Sequence, residues 1–255
     1  MSVELFYSHA VTTVPDVVST HFPGAIGLTD FLDRKRIWLQ GHGFRPGDAL
    51  AVTACCRDEI VSEFRAEVRR QWNWAFDFSS LSALPLAGAT GIRAAIDHAP
   101  RIMGHPEIVV FALPHVGILE DGTAGHVMRR GRSRPTTACG SLMAAQRWAA
   151  ATAHDPTATD LVIDPTDAEQ SLVRIHLRRQ LGDFSTMSPI ALTEHVRELM
   201  LRGLWRQFTE LTDTLTVDVA LISAVLVHGH DGDYVQPKVI RLRRAGAVSE
   251  TSGGV

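Results

Sequence analysis

The sequence predicts an α/β fold, a mostly parallel central sheet flanked by helices, and three observations carry that expectation. Short apolar runs rich in β-branched residues recur along the chain, at DALAVTACC (48–56), EIVVFALPHV (107–116) and VDVALISAVLVHG (217–229). Segments with helical periodicity separate them. The runs are mostly apolar instead of alternating with polar residues, as burial between helices on both faces requires.

After the first run, EIVSEFRAEVRRQW (59–72) places Ile60, Phe64 and Val68 at four-residue steps, so they share one face of a helix. TGIRAAIDHA (90–99) follows the glycine-rich LAGATG (86–91) and reads as a second helix. The stretch LEDGTAGHV reads as a hairpin turning at Asp121 and Gly122. Three further helices are expected: CGSLMAAQRWAAATA after Thr136 and Thr137, PTDAEQSLVRIHLRRQL from Pro165, and SPIALTEHVRELMLRGLWRQF after Ser188 and Pro189. Proline suits a first helical position, where its missing N–H is not needed. The organisation is a single domain over 1–245 with a flexible C-terminal tail over 246–255.

Composition narrows the function classes. Of 255 residues, 45% are hydrophobic and 21% charged, which is the balance of a water-soluble globular protein. A net charge of -3 gives no drive toward nucleic acid or an anionic membrane, since both need a clustered positive field. The longest apolar run, Val219 to Val227, is far shorter than the ~20 residues of a membrane span. The first residues lack the basic start of a secretory signal, so a cytoplasmic location is expected. Three cysteines, an odd number, argue against a disulfide framework and leave thiols free to act as ligands.

Two of those cysteines, Cys55 and Cys56, sit together at the end of the first buried run. Strand alternation sends them to opposite faces, so one of them readily enters a site at the strand's carboxyl end, where open α/β sheets bind ligands. The second run ends at Pro114 and His115, at the same edge. Cys139 opens a helix, whose N-terminal dipole favours thiolate. Cys56, His115 and Cys139 would leave a tetrahedral zinc with one open position, the catalytic arrangement. On the residues alone a second reading stands beside it, with the cysteines as small buried fillers and His115 as a hydrogen-bonded strand-end histidine.

The blocks SSLSALPLAGATGIRAAIDHAP (79–100), PHVGILEDGTAGHVMRRGR (114–132) and TTACGSL (136–142) follow one another in a distinctive order. With ACCRDE (54–59) upstream and VLVHGHDGDYVQP (225–237) downstream, they resemble the limiting-carbon-dioxide-inducible protein B family. Its members are theta-class carbonic anhydrases related in fold to the beta class. The resemblance implies a beta-carbonic-anhydrase-like fold and a zinc ion held by Cys56, His115 and Cys139. It implies Asp58 beside the metal in a Cys-x-Asp arrangement, and only Cys56 stands two residues before an aspartate. The implied activity is interconversion of carbon dioxide and bicarbonate through zinc-bound hydroxide, in a homodimer or higher homo-oligomer. The alternative is a catalytically silent zinc-containing homologue, closed by Asp58, that serves as a binding or scaffold protein in inorganic-carbon handling.

One departure matters. Beta-class enzymes have an arginine two residues after that aspartate, and here the place is taken by Ile60. Arg65, about two helical turns beyond Asp58, is the candidate to reach back along the same face, against the plainer reading of a solvated helix arginine.

The remaining motifs carry less. The basic run MRRGRSRP (128–135) reads as a solvated loop without a catalytic role. His228 and His230 in VHGHDGD titrate near neutrality and are weighed as proton shuttles against plain turn histidines. GHGFRPG (41–47) has GxGxxxG spacing and precedes a strand, so a dinucleotide site is rejected. The apolar content of TEHVRELMLRGLWRQF makes it a candidate subunit interface.

Overall fold

The computed structural model describes residues 13–102, 104–153, 162–212, 216–244 and 247–249. The first half of the chain comprises α1 (Asp16–His21), β1 (Ile26–Gly27), α2 (Leu28–Gly41), β2 (Leu50–Cys55), α3 (Ser62–Trp72), β3 (Ala75–Asp77), α4 (Gly88–His98) and β4 (Glu107–Leu113). Then follow β5 (His115–Gly117), β6 (His126–Val127), β7 (Thr136–Thr137), α5 (Gly140–Ala151), α6 (Ala168–Leu181), α7 (Pro189–Thr212), β8 (Asp218–His228), β9 (Asp233–Arg244) and β10 (Ala247–Ser249).

The main sheet runs in the order β1-β9-β8-β4-β2-β3. The three runs expected as buried strands are its centre, and they pair in parallel: Ala51 faces Val109, and Ile108 faces Val219. Every residue of β2, β4 and β8 is buried, so their unbroken apolar character follows from being covered on both faces. Helices flank the sheet in two groups. α2 packs with α3 over β9 and β2, and α4 packs with α7, which itself lies on β4 and β8. The core is closed by large side chains with almost no exposure, among them Phe31, Phe64, Trp72, Phe111 and Phe208. No described helix is long and apolar enough to cross a membrane.

Proline sets the detail that matters for function. Pro114 has no N–H to donate, so β4 ends and the chain restarts as β5, which continues along β8 in the register of β4 and pairs His115 with Leu226 and Gly117 with His228. The expected hairpin also forms. Gly122, at φ +85°, donates its N–H to the Leu119 carbonyl, and Ile118 bridges Ala124.

Two expectations need amendment. The apolar face of α7 is spent inside the chain, with Leu192, Val196, Met200, Leu204 and Phe208 all buried, so that helix has no such face left for a subunit contact. Within the expected tail, Ala247–Ser249 pairs antiparallel with β9, while residues 246 and 250–255 lie outside the described residues.

Candidate metal centre

Strand alternation separates the two adjacent cysteines as expected. Cys55, the last residue of β2, turns its sulfur to the Ser79 hydroxyl at 3.2 Å, and burial pushes its thiol up to about 11. It is a packed, inert thiol. Cys56 points the other way, and its Sγ lies 3.9 Å from Sγ of Cys139.

Cys139 caps α5 in the left-handed conformation, φ 47° and ψ 65°. A residue with a Cβ is strained there by about 1–3 kcal/mol. Ser82 and Ala83, also at positive φ, form the turn beneath it, with Ser82 Oγ 4.0 Å from the Cys139 sulfur. Backbone strain therefore gathers where the thiol is aimed.

His115 completes the group at the start of β5. One donor atom each from Cys56, His115 and Cys139 lie within 4.8 Å of one another, and all three residues are buried. Nδ1 of His115 is 3.0 Å from Nε2 of His228, whose own Nδ1 is 2.7 Å from Asp233. Hydrogen-bond logic assigns the protons: His228 Nδ1–H donates to the carboxylate and His115 Nδ1–H donates to His228. That leaves a bare lone pair on His115 Nε2, which is buried and has no hydrogen-bond partner among the described residues.

The donor set suits zinc. A tetrahedral ion with bonds of about 2.3 Å to sulfur sets two sulfurs about 3.8 Å apart, close to the separation of Cys56 and Cys139. A buried imidazole nitrogen with its lone pair free and its other nitrogen held by a hydrogen bond is the arrangement a metal ligand requires. The contact with Cys139 holds Cys56 down at about 4 against its burial, helped by His115 and the Asp58 N–H, and the same contact pushes Cys139 up.

Asp58 lies at the rim. It caps the short 3-10 turn Glu59–Val61 by accepting from the Ile60 N–H at 3.4 Å. Arg129 donates to both carboxylate oxygens, at 2.8 and 2.9 Å, and also bonds Glu59 and the Thr137 carbonyl. Burial opposes ionisation of Asp58, but hydrogen bonds to Glu59 and Arg129 outweigh it and hold the carboxyl below its usual range.

Residues 25–244 match the sequence profile of the limiting CO2-inducible proteins B/C beta carbonic anhydrases. The chain belongs to this family. Among solved structures, PtLCIB4, described as a homologue of the limiting CO2-inducible protein LCIB, superposes with a TM-score of 0.79 and 23% identity, covering 92% of this chain and 98% of that one. LCIB itself gives 0.71 and 24%, covering 91% and 96%. Likeness at this identity is one of fold. No curated protein matches the sequence.

Within this limiting CO2-inducible family chain, the expected partner of Asp58 is corrected. Arg65 does not reach the carboxylate; it donates to the Cys56 carbonyl at 2.9 Å. The 3-10 turn between Asp58 and Ser62 breaks the helical repeat, so the seven-residue step to Arg65 no longer returns to one face. Arg129 fills the place left by Ile60. It belongs to the basic run read as a solvated loop, and Arg130, Arg132 and Arg134 are indeed exposed. The in-out alternation of β6 runs on past its end: Val127 is buried, Met128 exposed, and Arg129 turns inward again. His228 is buried behind His115 and hydrogen-bonds Asp233 on its other side, while His230 is more exposed, beside Glu120.

Proposed function

We propose that this protein is a zinc-dependent carbonic anhydrase that interconverts carbon dioxide and bicarbonate, with Cys56, His115 and Cys139 holding the metal. The grip of Arg129 on Asp58 carries this reading. A free Asp58 would be drawn to the ion and close it, as the silent-scaffold alternative requires. A carboxylate already satisfied by a guanidinium has little to gain from the metal, and the fourth position stays available to solvent.

Zinc, when bound, supplies the Lewis acidity that makes hydroxide available near neutral pH. The protein's residues prepare that chemistry. Cys56 and Cys139 neutralise the ion's formal charge, which makes it a milder acid than a three-histidine site, so neighbouring groups must contribute more. Asp233, through His228, fixes the ring and tautomer of His115. Asp58, ionised and immobile, accepts a hydrogen bond from a solvent molecule at the rim and orients its lone pair. Arg65, on the Cys56 carbonyl, is a positioning residue for the loop that carries Cys56 and Asp58. The homodimer implied by the family resemblance belongs to the same proposal, and light scattering measures it.

The test is metal analysis combined with a carbon dioxide hydration assay on wild type and Cys139→Ser. About one zinc per chain and measurable hydration are expected in wild type, with both lost or sharply reduced in the variant. A fully zinc-loaded wild type without hydration activity would return the scaffold reading.

A further inference from the structure

This chain is built on arginine. Of its 25 basic residues 23 are arginine, and the two lysines are Lys35 and Lys238. Those two, 203 positions apart by their numbering, line the same narrow cleft between α2 and the β8–β9 pair, together with Phe31, Ile222, Ser223, Pro237 and Val239. A sequence that otherwise uses guanidinium groups puts both its primary side-chain amines in one place.

Lys35 is buried, with 7% of its surface exposed. Its ammonium nitrogen lies 5.8 Å from the centre of the Phe31 ring, and no described residue accepts a hydrogen bond from it or forms an ion pair with it. No carboxylate lines the pocket. Lys238, in the same cleft, is paired with Glu194 at 3.7 Å, and Arg34 adjoins Lys35 in sequence. A buried ammonium without an acceptor and beside a like charge is in its less favourable charge state. Burial, with a smaller push from Arg34, accordingly lowers its pKa and enriches the neutral amine. An arginine could not substitute, because a guanidinium stays protonated and carries no nucleophilic lone pair at neutral pH.

We propose that Lys35 is a carbon dioxide-binding residue, forming a reversible carbamate inside the pocket it shares with Lys238. The lone pair of the neutral amine attacks the carbon of carbon dioxide and forms the N–C bond. One C=O π pair moves onto oxygen, and the nitrogen releases one proton to solvent. No oxidant, metal or second substrate enters. The step takes Lys35 from a neutral amine to an anion, so Arg34 and Lys238, which disfavour its ammonium form, favour the carbamate. Carbon dioxide is small and apolar, which suits a pocket walled by Phe31, Ile222 and Val239. This site is separate from the metal centre and does not depend on whether that centre hydrates carbon dioxide.

The experiment is carbon-13 NMR of the whole protein equilibrated with labelled carbon dioxide and bicarbonate, with a free-amine peptide in the same buffer as positive control. A lysine carbamate resonance beyond that of the α-amine is expected, abolished in Lys35→Arg and retained in both Lys238→Arg and Cys139→Ser. Retention in Cys139→Ser separates this result from the fate of the hydration assay. Alkyloxonium trapping of the wild type followed by peptide mapping is expected to assign the label to Lys35, so the test stands even where a variant folds poorly. Wild-type protein that shows only the α-amine carbamate while the control peptide reacts, or a resonance unchanged in Lys35→Arg, overturns the proposal.

Discussion

Arg129 holds Asp58 by both oxygens across 71 residues of sequence. The guanidinium is itself fixed by Glu59, Thr136 and the Thr137 carbonyl, two residues before Cys139. One side chain thus ties the turn after Cys56 to the segment leading into Cys139. A hydrogen bond to a charged group contributes about 1.5–3 kcal/mol. Arg129→Ala is therefore expected to lower kcat/KM for hydration by about 10–100-fold, with zinc content retained. Arg129→Lys should recover only part, because an ammonium cannot reproduce the fork. Unchanged kinetics in Arg129→Ala would show that Asp58 needs no restraint.

In the proposed zinc site, His228 acts on the ion through His115. Removing a hydrogen-bond partner of a ligating histidine typically weakens metal binding by about 10–100-fold. His228→Ala is expected to show that loss in a chelator competition, and His228→Gln, which keeps a polar atom for His115 Nδ1, a smaller one. Equal affinities in wild type and His228→Ala would mean that the His115 ring is held by packing alone.

Gly117 ends the strand that starts at His115, and β6 crosses directly over it. A Cβ there would lie 2.3 Å from both the His126 carbonyl oxygen and Val127 Cγ1. Because backbone has to move, Gly117→Ala is expected to destabilise the fold by about 1–3 kcal/mol, read as a lower urea midpoint. An unchanged midpoint would contradict the close approach.

At the opposite end of the sheet, Glu107 is buried, its Oε2 without a hydrogen-bond partner among the described residues and its other oxygen 3.8 Å from Arg244. Burial raises its carboxyl pKa against the pull of Arg244. The unfolded chain releases this proton at about pH 4.3, while the folded state keeps it to higher pH. The folded state binds more protons in that window, so stability from this group is present below the unfolded value and is lost as pH rises through the folded one. Glu107→Gln removes that slope. The urea midpoint of the variant should gain on wild type as pH rises from about 4 to 7, and parallel curves would contradict this.

The buried strands are legible in the sequence because burial on both faces forbids polar residues, and 50–55, 107–113 and 218–228 have almost none. β9 escapes notice because it is half-exposed, its inward Ile240 and Leu242 alternating with Arg241 and Arg243. It reads as a charged segment until its partner β8 is known. Cys56, His115 and Cys139 stand out as uncommon, chemically capable residues at strand and helix ends, and the aspartate two residues on, within the family resemblance, singles out Cys56 over Cys55. Arg129 has no such signal. Its role depends on a contact between loops far apart in sequence, and nothing local distinguishes it from the exposed Arg130 beside it. His228 is conspicuous as a histidine, yet only the parallel pairing of β5 with β8 shows that it faces His115.

The most direct measurement is a crystal structure of the zinc-loaded protein at neutral pH. The account predicts one ion bound by the sulfurs of Cys56 and Cys139 and by Nε2 of His115, with a solvent molecule as fourth ligand and Asp58 still on Arg129. An Asp58 oxygen bonded to zinc, with the Arg129 contact broken, would contradict it.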